Sequence, residues 1–110
     1  MNITITQAET LPVEIKELAK QAHKEGLVLV DGLIEEYESG KNRFNQPGEF
    51  LLFAYDEDRL IACGGLNQQW NENEIDTRIG RVRRFYVLPK YRKHGVGKQL
   101  LQHLEKQARA

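Results

Sequence analysis

Residues 81–104 read Arg81-Val-Arg-Arg-Phe85-Tyr-Val-Leu-Pro89-Lys-Tyr-Arg-Lys-His-Gly95-Val-Gly97-Lys-Gln-Leu-Leu-Gln-His-Leu104. The apolar run Phe85-Tyr86-Val87-Leu88 has β character and is stopped by Pro89, which cannot donate to a sheet ladder and holds Leu88 extended. Val96, Leu100, Leu101, Leu104 and Ala108 then recur at helical spacing on one face. A strand, a basic glycine-bearing turn and a helix therefore follow one another. The first amides of a helix lack internal partners, and the aligned peptide dipoles place about half a positive charge there. Gly95 and Gly97 let an oxyanion approach those amides, and Arg92, Lys93 and Lys98 add full charges. The expected ligand is a phosphate or pyrophosphate.

At these residues the chain resembles the GNAT superfamily of acyl-CoA N-acyltransferases. Its signature, Arg/Gln-x-x-Gly-x-Gly/Ala after an aromatic-Val-x-Pro strand end, is matched by Arg92-Lys93-His94-Gly95-Val96-Gly97 after Phe85-Tyr86-Val87-Leu88-Pro89, with Tyr91. The resemblance implies that the amides of residues 92–97, with Lys98 beside them, hold the CoA pyrophosphate. The backbone of Phe85, Tyr86 and Val87 would pair with the pantetheine arm like an added strand. The implied fold is α+β, of the α/β/α GNAT type. It has a mixed, mostly antiparallel sheet of about four strands and three helices, in one domain over residues 1–110.

Upstream, Ile3 and Ile5 alternate with polar residues in a short strand over residues 2–6. Thr10 is positioned to cap a helix with Pro12 in its first turn and Leu11, Ile15, Leu18, Ala19 and Ala22 on its buried face, ending at Gly26. A second helix is expected over residues 27–39, where Gly32 costs about 1 kcal/mol of propensity. Residues 40–48 form a loop anchored by Phe44. Residues 49–55 and 59–66 are apolar runs joined by Asp56-Glu57-Asp58, a hairpin buried on both faces in which Gly64 and Gly65 bulge the second strand or admit a close neighbour. Residues 67–77 are polar except Trp70 and Ile75 and read as a connecting loop, after which residues 78–88 form the signature strand.

Composition bounds the rest. The 110 residues, 40% hydrophobic and 29% charged, suit one globular domain, with no apolar run of bilayer length and no signal-peptide pattern. A cytoplasmic protein without membrane contact is expected. The lone cysteine, Cys63, excludes an internal disulfide and gives no metal-site spacing, so no metal is expected; it reads as a buried small residue. Residues 1–77 hold 15 acidic and 6 basic side chains, and residues 78–110 hold 1 and 10, giving −9 and +9. That asymmetry steers an anion to one end and a cation to the other.

Acyl transfer to an amine needs a neutral nucleophile at the thioester carbonyl, donors for the developing oxyanion and a proton path for the thiolate. The resemblance implies acetyl-CoA as co-substrate, a small-molecule or peptide amine as acceptor, and an oxyanion donor in the backbone around Tyr86 to Val87. Many relatives carry a glutamate five residues before the Tyr86 position. Here Arg81 stands there, and a guanidinium cannot accept a proton. Glu72, Glu74 and Asp76 are the nearest carboxylates and the base candidates, while His94 reads as a phosphate neighbour. The family continues beyond the signature helix, so the chain is expected to be truncated there, leaving a bare strand edge for a homodimer partner to cover. Two other readings stay open: a CoA-binding module without catalysis, and nucleic-acid binding by Arg78, Arg81, Arg83, Arg84, Lys90, Arg92 and Lys93. Nucleic acid is not the expected partner, because the phosphate turn accounts for much of that cluster.

Overall fold

The computed structural model describes residues 1–70 and 75–108, with residues 68–70 and 75–81 described by their backbone course. The elements run β1 (Ile3–Gln7), α1 (Ile15–Lys24), α2 (Leu29–Ser39), β2 (Phe50–Asp56), β3 (Arg59–Trp70), β4 (Ile75–Val87), a 3-10 turn (Pro89–His94) and α3 (Val96–Ala108). Sheet order equals chain order, and every pairing among the described residues is antiparallel, so no parallel component joins the expected mixed sheet.

Each helix follows from a stripe of apolar residues. Ile15, Leu18, Ala19 and Ala22 bury one side of α1, Val30 and Leu33 that of α2, and Val96, Leu100 and Leu104 that of α3. Burying each such leucine contributes about 1.5–3 kcal/mol of transfer free energy. Leu101 is 39% exposed and Ala108 is also exposed, so the expected face of α3 narrows to three residues. α1 ends before Gly26, whose φ of +77° turns the chain sharply into α2. Thr10 does not cap α1. The helix starts at Ile15 behind Glu14, and no side chain closes its amino end. α2 likewise begins at Leu29, two residues after the expected start.

Residues 50–54 of β2 and 60–67 of β3 are buried on both faces, as their apolar runs imply. A β-carbon at Gly64 would meet Phe85, Leu104 and Leu100, whereas one at Gly65 would collide with Phe44 and Leu51. Successive residues of a strand face opposite sides, so Gly64 admits α3 and Gly65 admits the loop anchor Phe44, which is buried at φ +53°. The expected loop over residues 67–77 is corrected: β3 continues to Trp70 and β4 starts at Ile75, with Gln68 opposite Gly80 and Gln69 opposite Asp76. Backbone pairing extends the ribbon past the residues that have an apolar pattern to reveal it.

Candidate active site

The signature strand is bulged where the site begins. Cys63 pairs with Tyr86 and Gly65 with Arg83, so Gly64 alone faces Arg84 and Phe85 together. Arg84 takes φ +57°, a left-handed geometry that costs an ordinary residue about 1–2 kcal/mol. Its surroundings hold it there. Arg84 Nε and Nη2 donate to Glu36 Oε1 at 3.0 and 2.8 Å, Nη1 reaches the Leu29 carbonyl at 3.4 Å, and its own carbonyl accepts from Cys63 Sγ at 3.3 Å. The bulge is pinned to α2 on one side and to β3 on the other.

Beyond the bulge the amides alternate. The Leu88 N–H donates to the Ile61 carbonyl at 2.9 Å, and the Tyr86 N–H, two residues earlier opposite Cys63, has the same phase. Both therefore face β3, and the alternation of a strand turns the intervening Val87 N–H toward the outer edge of the sheet. That edge opens into a cavity of about 380 Å³. It is lined by Phe85, Tyr86 and Val87 of β4, by Arg92, Gly95, Gly97 and Lys98 of the turn and α3, and by Leu27 and Leu29 at the α1–α2 connection.

At the far end α3 presents its amino terminus. Gln99 N–H donates to the Gly95 carbonyl at 3.0 Å, so the amides of Val96, Gly97 and Lys98 lie ahead of the first intrahelical bond of this kind. Gly95 has φ +74°, which bends the chain from the 3-10 turn into the helix. Tyr91 fixes the turn from below. It is buried, and its hydroxyl donates to Asp56 Oδ2 at 2.7 Å. That hydrogen bond is the main reason the Asp56 carboxyl lies below its ordinary pKa and the Tyr91 phenol above its own.

Glu25, at the carboxyl end of α1, meets the signature from the opposite side. Its Oε2 accepts from the Tyr86 hydroxyl at 2.5 Å and from Arg92 Nη2 at 2.9 Å. Arg92 is held again by Nε, which donates to the Val87 carbonyl at 2.9 Å, and its guanidinium lies 5.6 Å from the Tyr86 ring centroid. The Tyr86 and Arg92 hydrogen bonds hold the Glu25 carboxyl below its usual pKa. Burial first, and the Glu25 hydrogen bond second, push the Tyr86 phenol up to about 12.

Seven of the ten expected donor-binding residues thus converge on the cavity: Phe85, Tyr86, Val87, Arg92, Gly95, Gly97 and Lys98. Lys93 and His94 are exposed on the turn outside it, and Val96 is turned into the core. Of the base candidates, Glu72 and Glu74 lie outside the described residues. Asp76 pairs with Gln69, and because Gln68 already pairs with Gly80 the separation is read on β3: Gln69 is five residues from Gly64, which at about 3.3 Å per residue places Asp76 about 16 Å along the sheet from the bulge. Glu25, Leu27 and Leu29 escaped the sequence reading. A glutamate ahead of a helix-ending glycine looks like any solvated terminus, and only the three-dimensional return of α1 to β4 gives it partners.

Past the bulge, Leu29, Val82, Arg83, Arg84 and Phe85 line a further recess of about 340 Å³, and Gly32, Glu35, Glu36, Ser39, Gly40, Lys41 and Arg84 another of about 580 Å³. Leu29 and Phe85 border both the first cavity and the smaller recess, and Arg84 borders both recesses, so a trench runs along β4. Among the described residues no group of three or more His, Cys, Asp or Glu side chains is placed to hold a metal, and no helix is long and apolar enough to cross a membrane.

Comparison with solved structures agrees with this architecture. A protein from Exiguobacterium sp. 255-15 that carries an acetyltransferase designation superposes with a TM-score of 0.83 at 29% identity, over 98% of this chain and 70% of its own. A GNAT-family acetyltransferase from Streptococcus pneumoniae gives 0.71 at 20% identity, over 99% and 68%. An aminoglycoside 6'-N-acetyltransferase complexed with coenzyme A gives 0.68 at 23% identity, over 96% and 54%. The chain therefore spans between 54% and 70% of the length of these three proteins. No curated protein matches the sequence significantly. The family model described as "Acetyltransferase (GNAT) family" matches residues 14–110, which hold the bulged strand, the glycine turn and α3 together, and the chain belongs to that family of acyl-transferring enzymes.

Proposed function

We propose that the protein is an N-acetyltransferase that moves the acetyl group of acetyl-CoA to a primary amine by direct attack. The observation that carries this reading is the cavity lined by Phe85, Tyr86 and Val87 and by the α3 amino terminus. The pyrophosphate would sit on the amides of residues 96–98 with Arg92 and Lys98 beside it, and the pantetheine arm would follow the outer edge of β4. The coenzyme A held by the aminoglycoside enzyme, a structural neighbour, supports the choice of carrier.

In this mechanism the amine nitrogen bonds to the thioester carbonyl carbon, and the carbonyl oxygen becomes an oxyanion. Val87 N–H, turned to the outer edge, is the donor we assign to it. The carbon–sulfur bond then breaks with its electron pair on sulfur, and the proton lost by nitrogen ends on the thiolate. The acceptor would enter by the recess at Arg83 and Arg84, opposite the pyrophosphate end. Glu72 or Glu74 remains the proposed base, acting through water, while the position of Asp76 opposite Gln69 argues against it. We place this chemistry in the cytoplasm, in a homodimer whose second copy covers the part of the β4 edge that the pantetheine arm and the acceptor leave free, β4 being the terminal strand of the sheet among the described residues.

One observation favours a second reading, a CoA-binding module without turnover. The described carboxylates beside the trench, Glu25 and Glu36, are each engaged by an arginine guanidinium rather than turned to an incoming amine. Calorimetry with CoA, thiol release from acetyl-CoA against a panel of amines, and light scattering test these readings together. Saturable binding with amine-dependent thiol release is expected. Binding without release to any amine selects the module, absence of binding removes both readings, and a monomeric mass removes the dimer.

A further inference from the structure

We propose that Glu25 is a positioning residue of the donor cavity: its carboxylate fixes the Tyr86 phenol and the Arg92 guanidinium, and so draws the α1–α2 connection against β4. The proposal rests on the reading above in taking CoA as the occupant of that cavity.

A single oxygen makes both contacts, with Tyr86 Oη at 2.5 Å and Arg92 Nη2 at 2.9 Å, across 61 and 67 residues of chain. Glu25 is the last residue before Gly26, where φ of +77° redirects the backbone. Leu27 and Leu29, which follow, line the cavity together with Phe85, Tyr86 and Val87 of the strand. The turn is closed locally by the Gly26 and Leu27 N–H groups, which donate to the His23 and Ala22 carbonyls at 2.9 and 3.0 Å, and Arg84 Nη1 reaches the Leu29 carbonyl at 3.4 Å. Glu25 adds the tie that joins this turn to Tyr86 and Arg92 at the donor end of the cavity.

The same contacts decide how Arg92 meets an anion. Its guanidinium has five N–H donors, of which Nε is given to the Val87 carbonyl and one Nη2 hydrogen to Glu25. The remaining donors belong to a planar fork that is already oriented, so a phosphate binds without ordering a long side chain first. A carboxylate 2.9 Å from that fork also opposes a phosphate electrostatically. Two opposite outcomes therefore follow from removing Glu25. Loss of orientation weakens donor binding, and loss of repulsion strengthens it. With two hydrogen bonds on one oxygen and a side chain only 26% exposed, orientation is the effect that should dominate.

The test pairs a ligand-free measurement with a ligand-dependent one, on Glu25→Ala and Glu25→Gln. In the ligand-free protein, amide exchange of residues 26–29 should speed up by about tenfold in Glu25→Ala, the loss expected for one charge-assisted hydrogen bond. Glu25→Gln, which keeps an acceptor for Tyr86, should recover most of the protection. The KM for acetyl-CoA should rise by about tenfold in Glu25→Ala while kcat changes less than about threefold, because the cavity wall and Arg92 serve binding. Unchanged exchange overturns the proposal whatever the ligand does. So does an unaltered or lowered KM in a protein whose wild type binds CoA. Faster exchange in a protein that binds no CoA supports the tether and overturns the reading of the cavity instead.

Discussion

The guanidinium of Arg84 lies across the backbone of Gly32, so close that a β-carbon at that glycine would stand 2.6 Å from Nη1 and 2.9 Å from Cζ. A glycine in mid-helix gives up about 1 kcal/mol of helix propensity relative to alanine. At this position the absent side chain is what allows α2 to lie against the bulge and Glu36 to reach Arg84. Gly32→Ala should therefore push the Arg84 guanidinium off Glu36 and the Leu29 carbonyl and cost about 1 kcal/mol, the worth of a hydrogen bond, since the flexible side chain can move aside. In an Arg84→Ala background the same substitution should become stabilising, since the collision is gone. Denaturant melts of the four proteins of this cycle decide the point, and additive effects would refute the contact.

Gly97 separates binding from folding. A β-carbon there would meet Val87 Cγ2 at 3.6 Å and Phe85 Cε1 at 3.8 Å, ordinary contacts that require no movement. Gly97→Val should leave stability within about 1 kcal/mol of wild type, since valine is no worse than glycine in a helix. Gly97 lines the cavity, so an added side chain takes space beside the α3 amides. Calorimetry should find CoA affinity lowered at least about tenfold, the equivalent of about 1.4 kcal/mol. Unimpaired binding would move the pyrophosphate away from this helix end.

The Tyr91–Asp56 hydrogen bond makes stability depend on pH at both extremes. Asp56 titrates lower folded than unfolded, so its contribution is present above the ordinary carboxylate pKa of about 4 and fades as pH falls through the folded value. Tyr91 titrates higher folded than unfolded, so its contribution is present below about 10 and fades as pH rises through the folded value. Tyr91→Phe should lower Tm across the intermediate range and give a flatter acid limb, the two curves converging below about pH 4. Parallel curves at every pH would show that the bond carries no linkage.

Cys63 should be inert in the native protein. It has no exposed surface, and burial pushes its thiol up to about 12, so the thiolate is scarce at pH 8. A chromogenic disulfide reagent is expected to react only as fast as the protein opens, and to titrate one thiol per chain after denaturation. Fast native labelling would contradict the packing of β3 against the bulge.

What could be read in the sequence was whatever is local and apolar. Pro89, the pair Gly95 and Gly97, and the stripe Val96, Leu100 and Leu104 lie within sixteen residues, and each carries its own backbone or burial rule. The ribbon joining β3 to β4 was hidden because Asn67, Gln68 and Gln69 have no alternation to betray a strand held by its partner. Nothing in Arg83-Arg84-Phe85 announces a left-handed residue, since arginine adopts it only with Glu36 and Cys63 holding on from elsewhere. Gly32 carried a partial signal: a glycine inside an otherwise regular helix invites a close neighbour, though not its identity. The contacts of Glu25 depend on two partners more than sixty residues away.

Sheet order that repeats chain order has a kinetic side. β2, β3 and β4 can zip together through short connections, but β1 must close a gap of 42 residues, from Gln7 to Phe50, before it gains its ladder on β2. Local pairings form early and distant ones late. The first strand is accordingly the last plank laid and the first to lift, and pulse-labelling of refolding chains should find the amides of residues 3–7 acquiring protection after those of residues 59–66.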